Sequence, residues 1–84
     1  MDRFNAMNIF VRVAEEQGFA AAARSLNISP AAVTRTIAQL EQIIGARLLV
    51  RTTRSVTLTD AGVRYLADCK RLLSDLKEVE AAAG

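Results

Sequence analysis

Apolar residues recur along this chain at helical spacing over four stretches and at a shorter, β-rich spacing over one. In the first stretch, Phe4, Met7, Phe10, Val11 and Ala14 return at steps of three, four and seven. This predicts a helix from about Arg3 to Gln17 with that stripe in the core. Asp2 stands where an N-cap is needed, and Gly18 is placed to stop the helix. "FAAAARSL", Phe19 to Leu26, forms a short second helix with Phe19, Ala22, Ala23 and Leu26 on one side, its alanines small enough for another helix to approach closely. Asn27 tolerates a left-handed turn better than most residues, Ile28 is expected to pack inward, and Ser29 opens the next helix. Two helices joined by about three residues make a helix-turn-helix.

The third stretch, "SPAAVTRTIAQLEQIIG", carries a full set of boundary signals. Ser29 is the N-cap, Pro30 takes the first helical position where its missing N–H costs nothing, and Gly45 can end the helix left-handed. At about 100° per residue, Val33, Ile37, Leu40 and Ile44 cluster on one side and form the face to be buried. Ala31, Arg35, Ala38 and Gln42 fall roughly opposite, with Thr34 and Gln39 on the flanks. After Gly45, "RLLV" (Arg47 to Val50) and "SVTL" (Ser55 to Leu58) flank "RTTR" (Arg51 to Arg54) and read as a hairpin with a basic tip. Thr59 then caps a long helix from Asp60 to about Ala82, and Asp60 in its first turn suits the helix dipole. Tyr65, Leu66, Cys69, Leu72, Leu73, Leu76 and Val79 form a stripe longer than packing onto so small a body requires. The expected fold is mostly α: three helices and a short hairpin over residues 1–58, then a long helix over 59–84.

Composition narrows what such a fold can do. With 84 residues, 51% of them hydrophobic, the chain can bury one modest core. No apolar run approaches the roughly 18 residues needed to cross a bilayer, and "MDRFNAMNIF" has no signal-peptide plan, so a cytoplasmic location is expected. There is no histidine and a single cysteine, which removes the commonest general base, the Cys/His and Ser/His/Asp arrangements and any cluster with metal-ligand spacing. Glu15 with Glu16, and Glu78 with Glu80, sit among polar neighbours as solvated charges, and Cys69 lies on an apolar helix face as a small buried hydrophobe. Neither an enzyme nor a bound cofactor is expected. The net charge is only +2, yet Arg24, Arg35, Arg47, Arg51 and Arg54 face the single acid Glu41 between residues 24 and 54, while the rest of the chain is net acidic. A basic middle of this kind is the footprint of a phosphate-binding surface.

Taken in order and at their spacing, Ala22, Ala23 and Leu26, then "SPAAVTRTIAQLE" (Ser29 to Glu41), Gly45, "LLVRTTR" (Leu48 to Arg54) and "LTDAG" (Leu58 to Gly62) resemble the N-terminal DNA-binding domain of the LysR-type transcriptional regulators of bacteria. That domain is a winged helix-turn-helix followed by a linker helix. The resemblance implies that the third helix enters the major groove of double-stranded DNA through Ser29, Pro30, Ala31, Ala32, Thr34 and Arg35. An arginine fork can pair with guanine, threonine can bond either kind of base edge, and alanine can touch the thymine methyl. Arg35 is the first choice for a base-edge contact, with a phosphate as the alternative.

The same resemblance makes the hairpin a wing that sets Arg54, and also Arg51, Thr52 and Thr53, beside the minor groove or its phosphates. Arg24 and Arg47 are expected in structural pairs, for example with Glu41. It further implies a homodimer through the linker helix, with Leu66, Leu73, Leu76 and Val79 at the contact, bound to an interrupted palindrome. A small-molecule effector would belong to a C-terminal domain of the full-length protein, which the chain ending at "AAAG" is expected to lack. Two departures from the family pattern stand out. Many members follow the capping serine with glutamine, where this chain has Pro30 and Ala31, so apolar contact and DNA shape should carry more of the reading. Gly18 stands where a serine commonly caps the second helix. The alternative function for such a fold is a winged-helix protein-interaction module, although that would be expected to show aromatic residues where this chain shows "RTTR".

Overall fold

The computed structural model describes residues 1–52 and 55–84. Its elements run α1 (Arg3–Glu16), α2 (Phe19–Leu26), α3 (Pro30–Ile44), β1 (Leu49–Arg51), β2 (Val56–Leu58) and α4 (Asp60–Ala83). The three helices, short hairpin and long final helix are those the hydrophobic pattern predicts, arranged as the winged helix-turn-helix that the resemblance implies.

Local chemistry sets the helix starts. The Asp2 carboxylate accepts the Asn5 N–H at 3.1 Å, Ser29 Oγ accepts the Ala32 N–H at 3.1 Å, and Thr59 Oγ1 accepts the Gly62 N–H at 2.9 Å. Caps of this kind each contribute about 1 kcal/mol. At the ends, Asn27 and Gly45 are left-handed at φ 57° and 80°, as expected. The first helix stops differently from the expectation. Gln17, not Gly18, takes the left-handed position at φ 55°, and Gly18 is extended as the N-cap of α2. Only these two residues separate the helices, so the extended cap falls on the glycine. The side chain before it bears a left-handed cost of about 1 kcal/mol.

The core joins Ala6, Ile9, Phe10 and Val13 of α1 to Phe19, Ala22 and Ala23 of α2, Val33, Ile37 and Leu40 of α3, Leu48, Leu49 and Cys69. Met7 and Phe10 are buried as expected, but Phe4 is 43% exposed and Val11 and Ala14 only half-buried. The inward arc of α1 is centred on Phe10 with Ala6 and Val13 beside it, which leaves positions 4 and 11 on its rim. Ile44 and Ile28 are also more open than the pattern implies, at 40% and 37% exposed. Past Leu40 the chain reverses at Gly45, and the next residues to enter the core are Leu48 and Leu49.

β1 and β2 pair antiparallel with Leu49 opposite Leu58, Val50 opposite Thr57 and Arg51 opposite Val56. The first strand therefore starts two residues later than the apolar run suggests and includes Arg51. Two strands of three residues have little stability of their own, so the hairpin depends on what holds its base. Thr59 supplies one tie, its N–H donating to the Leu48 carbonyl at 3.0 Å and its Oγ1 to the Arg47 carbonyl at 2.6 Å.

Twenty-four residues of α4 span about 36 Å, which accounts for most of the 44 Å long dimension. Its first half packs on the body. The Tyr65 ring meets the Phe10 ring at 57° with centroids 5.2 Å apart. Burial, with Cys69 beside it, pushes the Tyr65 hydroxyl up to about 12. Burial also raises the Cys69 thiol, against the pull of its hydrogen bond with Tyr65. Cys69 is fully buried and unpaired, the small hydrophobe expected. No helix among the described residues is long and apolar enough to cross a membrane.

Candidate nucleic-acid interface

The site is built on α3, whose two faces are separated by the 3.6-residue repeat. Val33, Ile37 and Leu40 lock one face into the core. On the other, Ala31, Thr34, Arg35, Ala38, Gln39 and Gln42 are exposed. Of the expected reading positions, Ser29, Pro30, Ala31, Thr34 and Arg35 lie open and Ala32 is half-buried. The tight entry from α2 positions this end, with the Asn27 N–H on the Arg24 carbonyl at 3.2 Å and the Ile28 N–H on the Ala23 carbonyl at 3.0 Å. Among the described residues the salt bridges join Arg12 to Glu16, Lys70 to Glu15 and Arg71 to Asp68, all on α1 and α4. None draws on the arginine of the open face of α3.

Glu41, the one acid of the basic stretch, is turned to the hairpin instead. Its Oε2 accepts the Leu48 N–H at 2.7 Å and the Leu49 N–H at 3.3 Å. The expected pair with Arg47 or Arg24 is not formed: Arg47 donates to the Leu49 carbonyl at 3.4 Å, and Arg24 takes part in none of the salt bridges above. A carboxylate one turn from the end of α3 thus satisfies two backbone N–H groups at the entry to β1.

At the far end of the hairpin, the Thr52 N–H donates to the Ser55 carbonyl at 2.9 Å, and Thr52 Oγ1 accepts the Ser55 N–H at 3.1 Å. Thr52 is exposed. Thr53 and Arg54 lie outside the described residues. Arg51 does not follow Thr52 toward the tip: its guanidinium carbon stands 4.2 Å from the centroid of the Phe19 ring. Arg51, Phe19, Thr34, Ala38, Glu41 and Arg47 thereby line a groove of about 160 Å³ between α3 and the hairpin.

The apolar stripe of α4 divides. Leu66 and Leu73 are half-buried against the core of their own chain, and Leu76 is half-buried beyond it. Val79 is 67% exposed, and Leu72, one heptad before it and absent from the expected contact set, is 46% exposed. Sequence reasoning also passed over Phe19 as a partner for the wing, because an aromatic residue at the start of an apolar helix carries only a core signal. Glu41 was visible as the lone acid among arginines, but nothing local revealed its backbone partners.

Residues 4–63 match the family described as bacterial regulatory helix-turn-helix protein, lysR family. An HTH-type transcriptional regulator of Haemophilus influenzae is 43% identical over 82 residues, covering 98% of this chain and 28% of that protein. The chain thus spans about a quarter of the length of the curated relatives it matches. Among solved structures, a BenM DNA-binding domain on catB site 1 DNA superposes with a TM-score of 0.93 at 32% identity, covering 99% of this chain and 91% of that one. A CbnR DNA-binding domain on DNA superposes with a TM-score of 0.87 at 36% identity, covering all of both chains.

Proposed function

Because this chain belongs to the lysR family of bacterial helix-turn-helix regulators and is its DNA-binding domain, we propose that it reads a duplex as a two-fold dimer. On this reading α3 lies in the major groove of each half-site and the hairpin against the adjacent minor groove. The observation that carries the proposal is the division of α3 into a locked apolar face and an open face with one arginine and no acid. A helix about 10–12 Å across with its side chains fits a groove about 12 Å wide, provided one side is free of its own protein.

Within that groove Arg35 reads a base edge, Thr34 bonds a base edge or a phosphate, and Ala31 offers a methyl to thymine. Ser29, Pro30 and Ala32 set the approach of the helix end. On the wing, Thr52, Thr53 and Arg54 meet phosphates or the minor-groove floor. Residues 1–58 then form the reading unit and 59–84 the pairing helix. Leu72, Leu76 and Val79 supply the apolar contact across the two-fold axis, continued by the rims of Leu66 and Leu73. Recognition of a small-molecule effector belongs to the remaining length that full regulators of this family carry.

Fluorescence anisotropy on labelled duplexes tests the proposal. Affinity should fall steeply with salt, the logarithmic slope being about 0.9 per phosphate neutralised. A duplex enriched by the chain from a randomised pool should contain two related half-sites, about 10 base pairs or a multiple apart. No association with any duplex at low ionic strength would end the proposal.

A further inference from the structure

We propose that Arg51 acts on DNA through Phe19, as a positioning residue that sets the angle of the wing and not as a contact to the duplex. The inference rests on the reading of α3 and the hairpin as the DNA surface. Phe19 is the first residue of α2 and is buried, so its ring is fixed by the core. Arg51 is the last residue of β1, immediately before the turn, and its guanidinium lies over that ring at 4.2 Å. A cation held against an aromatic face at this distance is attracted by the ring quadrupole, and the planar guanidinium also stacks. The other end of β1 is held independently by Glu41 through the Leu48 and Leu49 N–H groups. One short strand is therefore pinned at its entry to α3 and at its exit to α2. Those two helices make up the helix-turn-helix, so the two pins relate the wing directly to the reading helix. Thr59 ties the base of the hairpin to α4, but two strands of three residues do little to fix the direction of their far end, which is where Arg51 acts.

Salt-dependent titrations of the 84-residue chain separate positioning from contact, the probe being a fluorescein-labelled duplex enriched by the wild-type chain from a randomised pool. Phe19→Leu removes the ring and no charge. Arg51→Ala removes the cation. Each should weaken binding about two- to fivefold, and the double variant should bind no worse than the weaker single variant, because both remove one interaction. In every variant the slope of log K against log salt should match wild type. A slope flatter by about 0.9 in Arg51→Ala would make Arg51 a phosphate contact and overturn the inference, whatever Phe19→Leu does.

Phe19 belongs to the core, so its variant is checked by thermal melting, and a second measurement needs no variant to fold. In the free wild-type chain the Arg51 side-chain methylene protons should be moved upfield by the ring current of Phe19, and ordinary shifts would refute the stacking. If no duplex is enriched at all while the ring-current shift is present, the DNA reading fails and the stacking stands, so the two failures are distinguishable.

Discussion

A side chain on Gly62 would collide with the carbonyl oxygen of Leu48, with its Cβ also 3.0 Å from the Leu48 carbonyl carbon and 3.1 Å from Leu58 Cδ2. The first turn of α4 and the entry to β1 thus meet backbone to backbone. Gly62→Ala should destabilise the fold by about 2 kcal/mol despite alanine's better helix propensity, because the obstacle is main chain and cannot rotate away. Urea unfolding should show a lower midpoint with an unchanged m value. An unchanged midpoint would mean that the two segments part at little cost.

Glu41 serves two backbone donors with one oxygen. Glu41→Ala strands the Leu48 and Leu49 N–H groups in a half-buried place and should cost about 1–3 kcal/mol, whereas Glu41→Gln keeps an acceptor and should cost less. Amide hydrogen exchange gives the local readout: Leu48 and Leu49 should exchange faster in Glu41→Ala than in wild type.

The alkaline limit of stability follows from Tyr65 and Cys69. The fold favours the neutral phenol, moving its pKa from 10.0 to about 12. Its contribution is therefore complete below pH 10 and lost as pH rises through about 12. Cys69 moves in the same direction from 9.0 and extends the decline toward its lower edge. Melting temperature should stay level through neutral pH and drop across that alkaline window, and Tyr65→Phe should drop less steeply there. The Cys69 thiol should react with a disulfide reagent only after unfolding.

Arg35 and Arg54 should fail in different ways. Arg35→Ala should cost about 1–3 kcal/mol on the preferred duplex and relax the choice of base at one position. Arg54→Ala should weaken binding to all duplexes alike and reduce the salt slope by about one phosphate. Selection from a randomised pool with each variant decides between these outcomes. Equal losses on every sequence for Arg35→Ala would remove it as a reader.

Charge on the open stripe of α4 should separate the two uses of that helix. Val79→Glu should shift a dimer toward monomer in sedimentation equilibrium while changing the unfolding free energy of the monomer, read at dilutions where wild type is also monomeric, by no more than about 0.5 kcal/mol. Leu73→Ala, in contrast, removes a side chain packed on its own core and should lower stability before it affects pairing. If Val79→Glu leaves the association constant unchanged, this end of α4 is not the pairing surface.

What could be read in advance was local. Asp2, Ser29 and Thr59 act as caps through the N–H three residues on, so the residue type and its place beside an apolar run were sufficient. The open and closed faces of α3 followed from periodicity as far as Leu40, because its inward residues lie on a narrow arc, and failed only at Ile44, where the chain is about to reverse at Gly45. α1 is packed on more than one side, and there periodicity identified a helix but rotated its core stripe, promoting Phe4 over Ala6, Ile9 and Val13. The placement of Gln17 depended on two adjacent helices competing for a single glycine. Arg51 on Phe19, and Glu41 on Leu48, join residues brought together only by the tertiary fold, and no pattern along the chain encodes them.

The three hydrogen bonds at Thr59, to Gly62, Arg47 and Leu48, leave no slack between the hairpin and α4. With the glycine contact next to them, they weld the wing to the long helix as the short arm of a lever. Because Thr59 alone separates β2 from α4, a twist imposed along that helix should turn the hairpin with it.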